Sequence, residues 1–202
     1  MAVGREERER QVRLQKIGIA AAVGLAVLLL LWAFQMLPFQ KGRAVGLSPE
    51  VEQHRETVEA YCAEYGISGY SELVLAIMQQ ESAGQVVDVM QCSESPFNTL
   101  YARTPGSIGD TDYSIRVGVE TFAYCLEEAG CKSPRNKKRL KLAIQQYNYG
   151  NDYAEWAMEN YGGYSLENAQ EYAGKMMAVL GWSQYGDAEY VTHVLRYYRM
   201  GW

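Results

Sequence analysis

The longest apolar run in the chain lies close to its N-terminus. Residues 17–37 form 21 consecutive positions without a formal charge, and most of them are alanine, valine, leucine or isoleucine. An α-helix needs about 20 such residues to cross the hydrocarbon core of a bilayer. The run therefore predicts one transmembrane helix over residues 17–37.

A cleaved signal peptide is the alternative interpretation of this run. Its apolar region would be about 7–15 residues long and would end in a small-x-small cleavage site. The run is longer than that, and the segment WAFQMLPFQKGRAVG at its end has no such site. Basic residues are concentrated before the run, so the positive-inside rule predicts a cytoplasmic tail over residues 1–16 and an outer location for the rest.

After a predicted linker over residues 38–47, apolar residues recur at helical spacing, and no segment alternates as a surface strand does. The predicted helices cover residues 48–65, 71–81, 112–130, 136–147, 152–160, 165–180 and 187–199, the third starting at 112 or 114 and the fourth at 136 or 137. Residues 48–202 are thus predicted to form one all-α domain, which is long enough for a single core.

Glu81 ends one of these helices in an unusual position. Leu73 and Ile77 lie eight and four residues before it, so its carboxylate continues the apolar stripe that faces the core. Apolar surroundings disfavour the charged form of a carboxyl group and raise its pKa. A glutamic acid still protonated near neutral pH can act as a general acid. The alternative is a helix-terminal glutamate that only caps the helix or faces solvent.

Two segments further along have compositions that suggest a binding site. Residues 92–113 are rich in Ser, Pro, Gly, Thr and Asp, and a loop of this length in a compact domain is usually functional or disordered. Residues 147–164 hold six tyrosine and tryptophan residues beside several glycines. Aromatic faces can stack on sugar rings, so this cluster predicts either a binding groove or a part of the core.

The charge of the outer part limits its partners. From residue 44 onward the chain carries 12 basic and 21 acidic residues, a formal net charge of −9. Nucleic acid is not an expected partner, because phosphate binding requires a basic patch. The N-terminal helix, and not electrostatic attraction, is expected to hold the domain at the membrane. No motif indicates a metal or an organic cofactor.

All four cysteines lie in the predicted outer part, where disulfides can form. A zinc site is disfavoured, because the chain has no C-x-x-C motif and its two histidines lie far from any cysteine pair. Four cysteines allow three pairings. We favour Cys125–Cys131, which closes a short loop, together with Cys62–Cys92, which ties the first outer helix to the segment after Glu81.

Three motifs lie in the order and rough spacing of a known family. Glu81-Ser82, Met90-Gln91 and residues 147–150 (YNYG) resemble the signatures of soluble lytic transglycosylases and goose-type lysozymes. The closer resemblance is to the lysozyme-like domain of the membrane-anchored, two-domain cell-wall hydrolases of Gram-positive conjugative elements. That family's motif M-x-Q-E-S-x-G matches residues 78–84, and its motif D-[IV]-M-Q-x-S-E-S matches residues 88–95. Residues 185–198 resemble the last helix of the family. The likeness covers roughly residues 48–200.

The resemblance implies a lysozyme-like or lytic-transglycosylase-like helical fold and cleavage of the β-1,4 bond between N-acetylmuramic acid and N-acetylglucosamine in peptidoglycan. It implies that Glu81 protonates the leaving oxygen. The positions that it implies for substrate binding or for orienting the carboxyl group are Ser82, Met90, Gln91, Ser93, Ser95, Tyr147, Asn148 and Tyr149. For the three serines, local capping is the alternative role.

The sequence departs from this family in two respects. The family commonly carries a cysteine–histidine peptidase domain after the lysozyme-like one, and only the glycan-cleaving half is expected here. Cys92 is therefore not expected to be a peptidase nucleophile. It stands where the family usually has serine, which supports its pairing with Cys62.

The two reactions known in this group differ in the carboxyl groups that they require. A hydrolase usually employs two carboxyl groups, about 5–5.5 Å apart in retaining enzymes and about 6.5–9.5 Å apart in inverting ones. A transglycosylase needs one glutamate and uses the muramic 6-hydroxyl as its nucleophile. Asp88, between two valines, and Glu94, among serines, are the candidates for the second carboxylate. We favour hydrolysis, with transglycosylation as the alternative.

A non-catalytic wall-binding component of a secretion channel is an alternative from another class. It would need no acid, and burying a carboxylate costs free energy, so Glu81 favours the enzyme. An anchored enzyme would cut only nearby wall, which suits local opening for a conjugative or type IV secretion-like transfer apparatus. The expected partners are peptidoglycan strands, the membrane and such an apparatus.

Overall fold

The chain forms two compact units, residues 1–40 and 41–202, and the computed structural model describes residues 3–35, 42–150 and 152–201. In the first unit, α1 (Val3–Gln35) is one helix of 33 residues that covers residues 3–16 of the predicted tail and most of the predicted span. An 18-residue window of this helix, Arg13–Leu30, has a mean hydropathy of 1.7 and no buried part. By length and composition this helix can cross a membrane. Residues 36 and 37 of the predicted span lie outside the described residues.

The second unit is helical, as the sequence predicts. Its helices are α2 (Pro49–Glu52), α3 (Arg55–Glu64), α4 (Ser71–Glu81), α5 (Thr111–Glu128), α6 (Lys137–Tyr149), α7 (Asp152–Tyr161), α8 (Leu166–Leu180) and α9 (Tyr190–Val194), with a 3-10 turn over Ser68–Tyr70. One small antiparallel sheet joins β1 (Arg43–Ala44) to β2 (Tyr198–Arg199), with Ala44 opposite Tyr198. The all-α prediction is therefore confirmed, apart from this strand pair.

Polar side chains cap the starts of four helices, α2, α5, α6 and α8. Ser48 accepts a hydrogen bond from Val51 N at 3.2 Å, with proline at the first helical position. Ser165 and Asn168 form a capping box at the start of α8. The same acceptor role is taken by Asp110 for α5 and Asn136 for α6.

Helix α4 lies at the centre of this unit. Its residues 73–78 are all completely buried, so the helix is covered on every side. The chain leaves it through Ala83 and Gly84, which both have positive φ. A Cβ on Gly84 would lie 2.7 Å from the carbonyl carbon of Glu50, so only glycine fits against α2.

Two predicted helices have the wrong extent. The first one breaks at Gln53 and His54 into α2 and α3. The last one was expected over residues 187–199, but α9 ends at Val194. Backbone hydrogen bonds of a tight turn follow α9, such as the bond from Tyr197 N to Val194 O. The chain then continues into β2.

Strand β1 lies within the predicted linker, and its contacts explain this difference. Ala44 N donates to Glu72 Oε2 at 2.8 Å, and Val45 N donates to Tyr197 O at 2.9 Å. Neither partner is close in sequence. Local patterns therefore do not reveal the strand.

The cysteine pairings predicted from the sequence are also wrong. Cys62, Cys92, Cys125 and Cys131, all within the described residues, are buried free thiols, so neither Cys62–Cys92 nor Cys125–Cys131 is formed. Burial raises the pKa of each thiol. Buried thiols of this kind behave as small apolar side chains with low reactivity.

Two helical glycines provide a matched test of the packing between α5 and the loop after α4. A Cβ on Gly118 would lie 2.6 Å from the Cβ of the buried Met90, whereas a Cβ on Gly174 meets nothing within 4 Å. We expect Gly118→Ala to lower the free energy of unfolding by about 1–3 kcal/mol, because Met90 must move. Gly174→Ala should raise it by about 0.5–1 kcal/mol through helix propensity. Urea denaturation of both variants checks this, and a Gly118→Ala protein as stable as the wild type would contradict the packing.

Candidate active site

The last residue of α4 meets α9. The hydroxyl of Tyr190, which is 2 % exposed, donates a hydrogen bond to Glu81 Oε1. Burial raises the pKa of Glu81 from its ordinary value of 4.5 to about 7, the Tyr190 hydrogen bond opposes the rise, and the charges of Asp88 and Asp187 add to it. Near neutral pH, Glu81 is therefore present in both its protonated and its charged form.

Asp88, a candidate second carboxylate, lies inside the protein and is only 3 % exposed. Its oxygens accept hydrogen bonds from Ser93 Oγ at 2.6 Å, Ser114 Oγ at 2.7 Å, Ser93 N at 3.1 Å and Cys92 N at 3.2 Å. These bonds fix the loop after α4 to helix α5. A catalytic role for Asp88 stays a prediction, and the contacts seen are those of a residue that organises a loop.

A cavity of about 390 Å³, called the groove below, lies between this loop, α5, α6 and the segment before α9. The side chains and backbone that line it come from Gln91, Cys92, Glu94, Ser95, Pro96, Thr121, Cys125, Gln146, Tyr147, Asn148, Tyr149, Gly150, Trp182, Tyr185 and Gly186. Glu81 is not among them. Tyr147 connects Glu81 with the groove. It lines the groove, and its pKa is raised first by its own burial and then by neighbouring charges that include Glu81.

Several predicted substrate-binding residues have partners inside the protein: Ser82, Met90, Ser93, Ser95 and Tyr149. Ser82 Oγ donates to Val89 O at 2.7 Å, and Ser95 Oγ shares a 2.6 Å hydrogen bond with Thr121 Oγ1. Such contacts hold the loop after α4 in place. Only Ser95 and Tyr149 of this group also line the groove.

The other predicted site residues lie at the groove. Gln91 is exposed and has a φ of 48°, a strained conformation of the kind often found at functional sites. Glu94 is exposed on the same wall. The hydroxyl of Tyr147 donates a hydrogen bond to Met90 O at 3.0 Å, and this bond joins α6 to the loop after α4.

Asn148 is held by a residue that the sequence analysis did not select. This residue is Asp187, whose backbone N donates a hydrogen bond to Asn148 Oδ1 at 2.6 Å. Asp187 Oδ2 in turn lies 2.5 Å from His193 Nδ1. A Cβ on Gly186 would lie 2.6 Å from the same Asn148 oxygen. The Gly186–Asp187 turn therefore closes tightly on α6 and builds one wall of the groove.

The predicted aromatic cluster is mostly core. Tyr153 is fully buried, and Tyr149 stacks on Tyr172 with ring centroids 5.6 Å apart, so these rings join α6, α7 and α8. The aromatic residue that is open in the groove is Trp182, which is 56 % exposed and which sequence reasoning missed. The only sequence signal was a tryptophan next to a glycine after a helix.

Comparison with known proteins identifies the family. A family model described as lysozyme-like matches residues 48–202. The chain belongs to the lysozyme-like family. The lysozyme-like domain is 34 % identical over 153 residues to the bifunctional muramidase/DL-endopeptidase CwlT of Bacillus subtilis (strain 168), an alignment that covers 76 % of this chain and 43 % of the relative.

Other relatives include an uncharacterized membrane protein, YocA, of Bacillus subtilis (strain 168), which is 30 % identical over 59 % of this chain and 49 % of its own length. Pneumococcal vaccine antigen A of Streptococcus pneumoniae serotype 4 (strain ATCC BAA-334 / TIGR4) is 30 % identical over 65 % of this chain and 60 % of its own length. The chain spans about half the length of the curated relatives it matches.

A solved structure shares the fold. It is a crystal structure of a protein described as similar to lipoprotein, NLP/P60 family, from Staphylococcus aureus subsp. aureus Mu50. The TM-score is 0.64 and the identity 33 %, over 76 % of this chain and 54 % of that chain.

The hydrogen bond from Tyr190 can be tested in the lysozyme-like domain without any activity measurement. Tyr190→Phe removes a donor that favours the charged form of Glu81, so we expect the pKa of Glu81 to rise above about 7. Tyr153→Phe is the control, because it removes a buried hydroxyl bonded to Asn168 instead. A titration of the Glu81 carboxyl carbon by NMR measures both variants, and equal midpoints would contradict the assigned role of Tyr190.

The raised pKa of Glu81 also predicts how stability depends on pH. The folded state binds an extra proton between about pH 4.5 and 7, so its stability falls as pH rises through that window. Above pH 7 the wild type must bury a charged carboxylate, whereas the Glu81→Gln variant buries a neutral amide. We therefore expect the free energy of unfolding of the variant to be higher, by at most about 3 kcal/mol. Glu94→Gln, at an exposed carboxylate, should stay within about 0.5 kcal/mol. Urea denaturation at pH 5 and pH 8 tests this, and a Glu81→Gln variant with no gain at pH 8 would argue against a desolvated carboxyl.

Proposed function

We propose that this protein is an N-acetylmuramidase, which hydrolyses the β-1,4 bond between N-acetylmuramic acid and N-acetylglucosamine in peptidoglycan. The observation that carries the proposal is the desolvated Glu81 carboxyl, which has a pKa raised to about 7 and whose charge acts on Tyr147 in the groove wall. A carboxyl group in this state can donate a proton to a leaving oxygen at neutral pH. The CwlT relative, named as a muramidase in part, supports the same assignment.

Glu81 is the general acid in this proposal. Tyr190 occupies its Oε1, so Oε2 is the oxygen that would carry the transferred proton. Tyr190 acts as a positioning residue, since it holds the carboxyl group and limits how far its pKa rises. Gln91, Tyr147 and Asn148, at the groove, would bind the sugar rings.

Glu94 is the carboxylate that we assign to the second step of hydrolysis. It is exposed on the groove wall, where it can activate a water molecule or stabilise positive charge on the sugar. The hydrogen bonds of Asp88 favour a supporting role for that residue, which places the loop and raises the pKa of Glu81 through its charge.

Lytic transglycosylation is the second candidate. The burial of Asp88 favours it, because this carboxylate is then not free to act beside Glu81. A glutamate with a pKa near neutrality can donate a proton to the leaving oxygen and then accept one from the muramic 6-hydroxyl. The product would be an anhydro-muramic end.

We also propose a local role in the wall. The apolar helix α1 is suited to anchor the protein in the cell membrane, with residues 1–16 in the cytoplasm and the lysozyme-like domain outside. An anchored enzyme would open only nearby wall, as a conjugative or type IV secretion-like apparatus requires.

Analysis of the cleavage products tests the reaction. Full-length protein in detergent is incubated with purified peptidoglycan, and the soluble fragments are identified by mass spectrometry. We expect reducing muramic ends from the wild type and a loss of about 10²–10⁴-fold in rate for Glu81→Gln, the usual size of a general-acid contribution.

The variant Glu94→Gln separates the two reactions. A large loss with Glu94→Gln supports hydrolysis, whereas anhydro-muramic products and an active Glu94→Gln variant would show a transglycosylase. Binding without any soluble product, by wild type and Glu81→Gln alike, would show that the domain is not an enzyme.

A further inference from the structure

A second cavity, of about 580 Å³, lies on another side of α5. It is formed between residues 65–70, Phe97, the C-terminal half of α5 and the segment 130–132 that follows α5, and we call it the side cavity. None of the sequence motifs or proposed catalytic residues contributes to it.

The side cavity and the groove share the same structural elements. In the loop, Ser95 and Pro96 line the groove, and the next residue, Phe97, lines the side cavity. In α5, Thr121 lines the groove, and Tyr124 lines the side cavity. A ligand bound in the groove could therefore extend a branch over this ridge and into the side cavity.

The lining of the side cavity is aromatic with charges of both signs. Phe97 and Tyr124 form a tilted ring pair with centroids 5.7 Å apart. Glu120, at one side, is already paired, because Tyr65 Oη donates to its carboxylate at 3.0 Å and Arg116 Nη1 does so at 3.2 Å.

Two exposed charges remain at the side cavity, a carboxylate on Glu127 and an ammonium group on Lys132. A carboxylate and an ammonium group around an aromatic floor match a short zwitterionic peptide. A neutral sugar chain would not use the two charges.

We infer that the side cavity binds the stem peptide carried by the muramic acid residue that lies in the groove. This inference rests on the proposed function, since peptidoglycan is the polymer that places a peptide with carboxylate and amine groups on a sugar. A stem of four residues extends about 13 Å, whereas Thr121 in the groove and Tyr124 in the side cavity are i, i+3 neighbours with Cβ atoms about 5–6 Å apart, so the peptide is long enough to cross between them.

The test compares peptidoglycan that retains its stems with glycan strands from which an amidase has removed them. The full-length protein should cleave the stem-bearing polymer with a kcat/KM about tenfold higher, which corresponds to about 1.4 kcal/mol of peptide binding. Glu127→Lys and Ala123→Trp, which reverse a charge in the side cavity and fill it, should bring this ratio to about one while cleavage of bare strands is unchanged.

Glu128→Lys is the matched control, because Glu128 is also exposed on α5 but does not line the side cavity. It should keep the preference for stem-bearing polymer. A wild type without any preference, or Glu127→Lys and Ala123→Trp variants that retain it, would overturn the inference.

A failure of the proposed function is distinguishable from a failure of this inference. If the wild type cleaves neither polymer, the free stem tetrapeptide is titrated into the protein and followed by NMR. Shifts of the Tyr124, Glu127 and Lys132 amide signals, absent in Ala123→Trp, would then support the peptide site. No shift at these positions would overturn it and leave the side cavity to another kind of partner.

Discussion

The hydrogen bonds to the buried Asp88 carboxylate are the interaction on which the site depends most. Four donors from Ser93, Cys92 and Ser114 converge on it, and they fasten a loop that has no helix or strand of its own to helix α5. Gln91 and Glu94, which lie on the groove wall, belong to that loop. A satisfied network of this kind gives an irregular segment a single conformation. The same charge also contributes to the raised pKa of Glu81, so the structure of the loop and the pKa of Glu81 both depend on one residue.

Glu81 shows the opposite balance, because burying its carboxyl group lowers the stability of the fold. Its helix is buried on all sides, and the carboxyl group at its end is desolvated and only partly compensated by Tyr190. A residue selected for stability alone would be neutral at this position. The fold holds the unfavourable group in place because α4 is enclosed by α2, α3, α9 and the strand pair.

The sequence was informative wherever structure depends on residues a few positions apart. Apolar spacing predicted α4 and the position of Glu81 at its end, and the predicted helix starts at residues 48 and 165 coincide with the observed caps Ser48 and Ser165. It failed where distant segments meet. The pairing of Ala44 with Tyr198, the short α9 and the groove position of Trp182 all depend on contacts across the chain, which no local pattern encodes. The cysteine pairings failed for the same reason, since spacing along the chain says little about which thiols meet.

The strand pair at residues 43–44 has a mechanical consequence. Tension that reaches this unit along the chain from residue 42 acts first on the two-residue ladder and on the bond from Ala44 N to Glu72. Glu72 lies in the first turn of α4, the most deeply packed helix, and is also bonded to Arg55 on α3. Force that enters at residue 42 therefore acts on the strand pair and on the start of α4, which is buried over residues 73–78. The segment on which this force acts first, residues 42–45, contributes no residue to the lining of the groove.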